Sequence, residues 1–170
     1  FLRTAMGTQQ TPPNQVLMSL ALFLTLFIMM PTMQQARDQG IQPYIAGQID
    51  ENQAFERSAV PVSDFMKKHV RDADLQLFAD AAKVDTAQAD VPLRVLIPAF
   101  MISELRRSFE IGFLVFIPFL VIDMVVASVL MSMGMMMLPP VMIAMPFKII
   151  FFVLVDGWFL IVGSLIQSFG

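Results

Sequence analysis

The chain has 170 residues, of which 56% are hydrophobic and 15% are charged, whereas soluble domains carry about 25% charged residues. This composition excludes an ordinary soluble globule, and the formal net charge of −3 excludes a basic surface for nucleic-acid phosphates. With no cysteine and a single histidine, His69, the chain has neither a disulfide framework nor the ligands of a thiolate or multi-histidine metal site.

The same shortage of reactive side chains argues against catalysis. Three serines in the apolar half, Ser128, Ser132 and Ser164, have no histidine near them in the sequence, and nucleophilic catalysis needs a partnered base. We therefore expect neither an enzyme nor a bound cofactor. His69 follows two lysines in a polar stretch, so we expect it to be solvated at the surface.

The first predicted region, residues 1–33, is a loop followed by a hydrophobic helix. The apolar stretch 16–33 is near the lower limit for crossing a bilayer, which is about 17 residues. Asn14 follows two prolines and is a candidate helix cap, and Pro31 predicts either the exit of the helix or a kink.

The second predicted region, residues 34–93, is polar and acidic. Because Lys and Arg are favoured on the cytoplasmic side, an acidic connection indicates an extracytoplasmic location. Apolar spacing at 62–65 and 75–82 predicts short amphipathic helices, so we expect an ordered subregion.

The third predicted region, residues 94–170, is a hydrophobic helical hairpin. The stretch 95–102 is too short to span a membrane and continues as a helix through charged residues, with pairs at Glu104–Arg107 and Arg106–Glu110. Residues 111–131, interrupted by Pro118 and Asp123, and residues 147–169 are each long enough to span, and the turn between them is predicted near 138–139.

Five charged residues fit poorly in a simple membrane topology. Arg106 and Arg107 fall on the outer side, and Asp123, Lys148 and Asp156 interrupt apolar stretches at a cost of roughly 2.5–3.5 kcal/mol each at the bilayer centre. Lys148 and Asp156 are eight residues apart, on different faces of a helix, so the partner of Lys148 must lie elsewhere.

The two acids admit two interpretations. In a hairpin, Asp123 and Asp156 lie at similar depth. Each is either paired with a hydrogen-bond donor or a base of a neighbouring subunit, or the two form a protonatable pair that couples transport to proton flow. The second interpretation describes a proton-coupled membrane transporter or channel.

Methionines cluster at the turn of the hairpin: seven of the chain's 15 lie between residues 131 and 145. Gly134 and the pair Pro139–Pro140 flank Met135, Met136 and Met137, so a loop or broken helix is expected there. These side chains are either packing or lipid contacts, or a flexible constriction that excludes water and ions when several copies converge on an axis.

The sequence also resembles a known family. The resemblance is carried by residues 11–17 (TPPNQVL), 97–100 (IPAF), 117–123 (IPFLVID), 133–140 (MGMMMLPP), 146–148 (PFK) and 152–158 (FVLVDGW). Over nearly the whole chain it is similar to the FliP family of flagellar export-gate proteins, whose injectisome relatives are the SctR type. Pro139–Pro140 resembles the flagellar branch more closely.

The resemblance implies a core subunit of a type III export gate. The implied fold is all-α, with membrane-protein-like hairpins that assemble as about five copies into a helical, conical complex around a central channel. Implied partners are FliQ, FliR and FlhB, membrane lipid and exported unfolded polypeptides, at the flagellar basal body in the bacterial inner membrane, largely on its periplasmic side.

The resemblance also implies roles for particular residues. Met135, Met136 and Met137 match the methionine gasket that seals the channel. Buried contacts between helices or between subunits are expected for Arg106, Arg107, Asp123, Lys148 and Asp156. A signal peptide and a first hydrophobic helix are expected upstream of Phe1.

Overall fold

In a computed structural model, the chain is helical throughout its regular structure over the residues that the structure describes, 1–85 and 91–170. The elements in chain order are α1 (Leu2–Met6), α2 (Asn14–Ala36), a π-helical turn (Arg37–Ile41), α3 (Gln42–Ile45), α4 (Glu51–His69), α5 (Asp72–Ala82), α6 (Leu93–Ser132), α7 (Pro140–Leu154) and α8 (Gly157–Phe169). The predicted all-α class is confirmed.

The chain divides into two compact units. One unit comprises Phe1–Leu22 and Ser108–Gly170, and the other comprises Phe23–Arg107. The predicted division into three regions was based on polarity along the sequence and not on packing. The regions 1–33, 34–93 and 94–170 therefore stay a prediction. Residues 86–90 of the acidic region lie outside the described residues.

In the second unit, the predicted short helices are parts of longer ones. α4 begins where the carboxylate of Asp50 accepts a hydrogen bond from the backbone N–H of Gln53 at 2.8 Å, a normal helix cap. α4 and α5 pack on the start of α6 through a core of Met66, Ala79, Val95 and Leu96, together with Val91. The acidic region is therefore ordered where the structure describes it.

The surface location expected for His69 is wrong. Its side chain lies at the end of α4 and is only 8% exposed, with its ring 4.6 Å from the ring of Phe65. Burial lowers the pKa of His69 below its usual value near 6.5, and the charges of Arg107 and Lys68 lower it further. Charged neighbours along the sequence did not reveal which face of α4 packs inward.

Two helical segments, Asn14–Ile45 and Leu93–Ser132, are long and apolar enough to cross a membrane. α7 and α8 meet the same test as a pair, although they are bent by 60° at the break between them. The predicted exit at Pro31 is wrong, because α2 continues through this residue to Ala36. α6 likewise runs unbroken through Pro118 and Asp123, since a proline removes one helical hydrogen bond without necessarily ending the helix.

Candidate functional site: the methionine turn and a buried ion pair

The methionine turn, residues 133–139, connects α6 to α7. α6 ends in a Schellman arrangement, in which Gly134 adopts a positive φ of 72°. The N–H of Gly134 donates to the carbonyl of Met131 at 3.1 Å, and the N–H of Met135 donates to the carbonyl of Leu130 at 3.0 Å. Pro140 starts α7, where its missing N–H costs nothing. The prediction of non-helical backbone at this point is confirmed.

The three central methionines project from this turn with little cover from their own chain. The exposed fractions are 42% for Met135, 80% for Met136 and 99% for Met137. A hydrogen bond of 3.3 Å from the N–H of Leu138 to the carbonyl of Met135 closes the tip of the turn and sets the three side chains on it. The turn therefore presents three flexible thioethers to whatever surrounds the chain.

A buried ion pair lies within the same unit, away from the ends of the hairpin. The ammonium Nζ of Lys148 on α7 is 2.8 Å from Oδ1 of Asp123 on α6. The side chain of Lys148 is 2% exposed and that of Asp123 is 30% exposed. The expectation that Lys148 pairs with a residue other than Asp156 is confirmed, and the contact it makes here is between helices of one chain.

The N-terminal segment covers this ion pair, a feature that sequence reasoning missed. Gly7 has a positive φ of 64°, and a Cβ added there would lie 2.6 Å from Nζ of Lys148. The neighbouring residues Met6 and Thr8 are buried. A side chain at position 7 would therefore force the ammonium to shift, and the positive φ favours glycine.

Arg3 holds this segment in a closed loop. Its guanidinium donates to the carbonyl of Pro12 at 3.0 Å and to the side-chain oxygen of Asn14. α2 begins at Asn14, but the predicted helix cap at this residue is wrong: its side-chain oxygen accepts from Arg3, and the first helical N–H groups donate to the carbonyl of Pro13. The sequence held no signal that this loop covers the ion pair, because Gly7 and Lys148 are 141 positions apart.

Asp156 lies at the break between α7 and α8. Its backbone is in the left-handed region, with φ of 51°, and its side chain is exposed. The next residue, Gly157, is buried and admits the ring of Phe152, which a Cβ would strike. Among residues 1–85 and 91–170, no ion pair involving Asp156 is seen, so its carboxylate is open to a neighbouring molecule.

The arginine pair lies on α6 in the second unit. Nη1 of Arg107 is 3.0 Å from Oε1 of Glu104, which confirms the predicted pair three residues apart. Arg106 is exposed in the single chain. Its pairing with Glu110, and the burial of either arginine against another subunit, stay predictions.

A buried serine was also missed by sequence reasoning. The hydroxyl of Ser103 donates to Oδ2 of Asp74 at 2.7 Å and accepts from the backbone N–H of Arg71 at 3.1 Å. It thereby satisfies one backbone donor at the start of α5 and ties that helix to α6. The sequence held no signal that separates Ser103 from the charged residues that follow it in α6.

Among the described residues, no group of three or more histidine and acidic side chains comes together as a metal site. The site therefore consists of a thioether turn and buried polar contacts. Its side chains offer apolar packing and ion pairing.

Comparison with known proteins gives one consistent result. Residues 1–165 match the FliP family. The chain is 57% identical over 171 residues to "Flagellar biosynthetic protein FliP" of Bacillus subtilis and 61% identical over 171 residues to the protein of that name in Caulobacter vibrioides. A relative of the same name in Agrobacterium fabrum is 54% identical over 173 residues. Each alignment covers 99% of this chain, and 77%, 64% and 71% of the three relatives respectively.

Proposed function

This chain belongs to the FliP family, and we propose that it is a core channel subunit of the bacterial flagellar type III protein export apparatus. In this proposal about five copies assemble around a shared axis, through contacts that need not be two-fold symmetric. They form the gate with FliQ and FliR, FlhB contacts it, and unfolded flagellar proteins pass through. The relatives are named for flagellar biosynthesis and not for a reaction, which supports a role without catalysis.

The observation that carries the proposal is the exposed methionine turn. Met136 and Met137 are 80% and 99% exposed, although both are apolar. Apolar side chains that a chain leaves uncovered indicate contact with another molecule. If the turns of several copies meet at the axis, their thioethers form a dry constriction that stops ions and water, and they repack when a polypeptide passes.

Uncovered apolar surface elsewhere supports assembly in or near a membrane. α2, α6 and α7 expose large hydrophobic side chains along their length, including Phe23, Phe27, Phe113, Leu114 and Phe147. Neighbouring subunits and lipid would cover these faces. We place the subunit at the basal body in the inner membrane, largely on its periplasmic side, where α4 and α5 form the polar extracytoplasmic region.

The charged residues are proposed as contacts that hold the assembly together. Asp123 and Lys148 join α6 to α7 within one subunit. The exposed carboxylate of Asp156 is open to a neighbouring subunit, and Arg106 lies on an exposed face of α6 that a neighbouring subunit would cover. Arg107 forms an ion pair with Glu104 on the same face of α6.

Replacing the three methionines with alanine tests the gasket. Met135→Ala, Met136→Ala and Met137→Ala together should leave the complex assembled while the closed gate conducts ions, because alanine is too short to fill the constriction. The readout is the ion conductance of the purified complex in planar bilayers, with the stoichiometry checked by native mass spectrometry.

A matched control is available on α2. Met18, Met30 and Met33 are also exposed, at 72%, 53% and 54%, and their replacement with alanine should leave the gate tight. A correctly assembled variant of residues 135–137 that stays as tight as the unmodified complex would refute the gasket.

The alternative is a proton-coupled transporter that uses Asp123 and Asp156. It expects Asp123→Asn to abolish transport in a complex that still assembles, because asparagine cannot carry the proton. The structural role expects the same variant to lose assembly, because Lys148 is left buried without its counter-charge. The salt bridge of 2.8 Å supports the structural role.

A further inference from the structure

A cavity of about 270 Å³ lies under the N-terminal loop, within the first unit. The loop contributes Met6 and Thr8 to its walls. Phe119 of α6, Phe152 of α7 and Trp158 of α8 contribute rings, and Lys148 lies among them. The cavity therefore combines mostly apolar walls with two polar side chains that are themselves buried.

Both of these polar side chains have hydrogen-bonding capacity that the described residues leave unused. The hydroxyl of Thr8, a residue that is 6% exposed, has no hydrogen-bond partner. The ammonium of Lys148 is paired with one carboxylate oxygen of Asp123 at 2.8 Å, and an ammonium carries three N–H donors. Because buried polar groups are nearly always hydrogen-bonded, the cavity calls for an oxygen acceptor that the described residues do not supply.

The charges in the cavity select the kind of acceptor. Asp123 already neutralises Lys148, so a second anion would leave a net negative charge in an apolar site, which is costly. A neutral carbonyl oxygen accepts from both the ammonium and the hydroxyl without that cost. The acceptor is therefore expected to be an uncharged carbonyl.

The walls select the rest of the ligand. The rings of Phe119, Phe152 and Trp158 offer contact to a hydrocarbon chain. The cavity is also built between helices that are apolar enough to cross a membrane, and membrane lipid is one of the partners in the function proposed above.

We propose that this cavity binds a diacyl glycerophospholipid, with one ester carbonyl oxygen accepting hydrogen bonds from Nζ of Lys148 and Oγ1 of Thr8. The first part of the attached acyl chain lies against Phe119, Phe152 and Trp158. The lipid supplies the missing acceptor and fills the space between the N-terminal loop and α7. This site is independent of the methionine gasket, and either one can fail without the other.

A comparison of ester and ether lipids tests the proposal. The full-length protein is purified in its assembled complex and placed in bilayers holding equal amounts of diacyl and dialkyl-ether phosphatidylethanolamine of matched chain length. Native mass spectrometry then measures which lipid is retained. The ether lipid lacks the carbonyl oxygens, so we expect the diacyl lipid to be enriched about tenfold, the effect of losing hydrogen bonds to a charged donor.

Variants of Thr8 identify the site. Thr8→Val keeps the shape and removes the hydroxyl, so retention of the diacyl lipid should fall about fivefold, the effect of one neutral hydrogen bond. Thr8→Ser keeps the hydroxyl and should retain the lipid. Thr4→Val is the matched control, because Thr4 is exposed and does not line this cavity.

Four results would overturn the proposal. They are equal retention of the two lipids, retention of neither lipid, a Thr8→Val complex that keeps the diacyl lipid, and loss of assembly in Thr8→Val without loss of lipid. The last result would assign the acceptor to a protein carbonyl of a neighbouring subunit. If Thr8→Val does not fold, the proposal is judged on the unmodified complex alone: enrichment of the diacyl lipid over the ether lipid supports it, and equal retention overturns it.

Discussion

Breaking the Asp123–Lys148 pair should have unequal effects from its two sides. Asp123→Asn leaves an ammonium that is 2% exposed without a counter-charge, at a cost of about 3–5 kcal/mol. Lys148→Met leaves a carboxylate that is 30% exposed and keeps part of its hydration, so the expected cost is about 1–3 kcal/mol. The aspartate variant is therefore the more damaging one.

The assay is the thermal unfolding midpoint of the purified complex, followed together with the fraction that assembles. For a chain of this length, 1 kcal/mol shifts the midpoint by about 2–4 °C, so Asp123→Asn should lower it by about 6–20 °C or prevent assembly. The double variant Asp123→Leu with Lys148→Met removes both charges and should recover most of the loss, because an apolar pair of similar volume replaces the buried ions.

Two results would refute this reasoning. The first is that Lys148→Met lowers the unfolding midpoint more than Asp123→Asn does. An unpaired Asp123 would then cost more than an unpaired Lys148, although Lys148 is the more buried of the two. If the double variant is as unstable as Asp123→Asn, the cost comes from packing and not from an unpaired buried charge.

Three further effects follow from single contacts. Gly7→Ala should destabilise the complex by about 1–2 kcal/mol more than Gly47→Ala, since both have positive φ but only Gly7 lies against Lys148; equal melting shifts would contradict the close approach. Ser103→Ala should cost about 1–3 kcal/mol and increase hydrogen exchange at the start of α5, and unchanged exchange there would remove its assigned role. Stability should fall as pH drops below about 6.5, because the unfolded chain takes up a proton that folded His69 resists; a His69→Gln complex should melt with a flatter pH dependence, and an identical pH profile would exclude His69.

The elements of this fold were predictable where local physics decides them. Long apolar stretches predicted α2 and the apolar part of α6, and Gly134 with Pro139–Pro140 placed the turn at the tip of the hairpin. The stretch 147–169, predicted as one segment, instead belongs to two helices, α7 and α8, bent by 60°. A left-handed glycine ends a helix and a proline begins one for reasons that need no distant partner. The non-helical position of the methionines followed from the same residues.

Prolines inside the apolar stretches did not mark the ends of helices. Pro31 and Pro118 lie within continuous helices, because losing one backbone hydrogen bond does not outweigh the helix on either side. A break occurs instead at Asp156, whose backbone is left-handed. Packing of Phe152 over Gly157 accompanies that break, and this contact is not visible in the sequence.

The covered ion pair and the lipid cavity were not predictable, because they depend on contacts between distant parts of the chain. Gly7 and Lys148 are 141 positions apart, and only folding shows that one lies on the other. The burial of His69 has the same origin. Helical spacing indicates which side chains share a face, but not which face the rest of the chain covers.

Cross-linking at the methionine turn tests most directly whether these thioethers meet at a shared axis. The chain contains no cysteine, so Met137→Cys introduces a single thiol per subunit. In a complex of verified stoichiometry, oxidation or a short bis-maleimide should join neighbouring copies into covalent dimers, because a disulfide needs Cα atoms within about 7 Å. Met124→Cys, which is exposed on α6, should not do so. A Met137→Cys complex that assembles correctly and yields only monomers with both reagents would contradict a methionine-lined constriction.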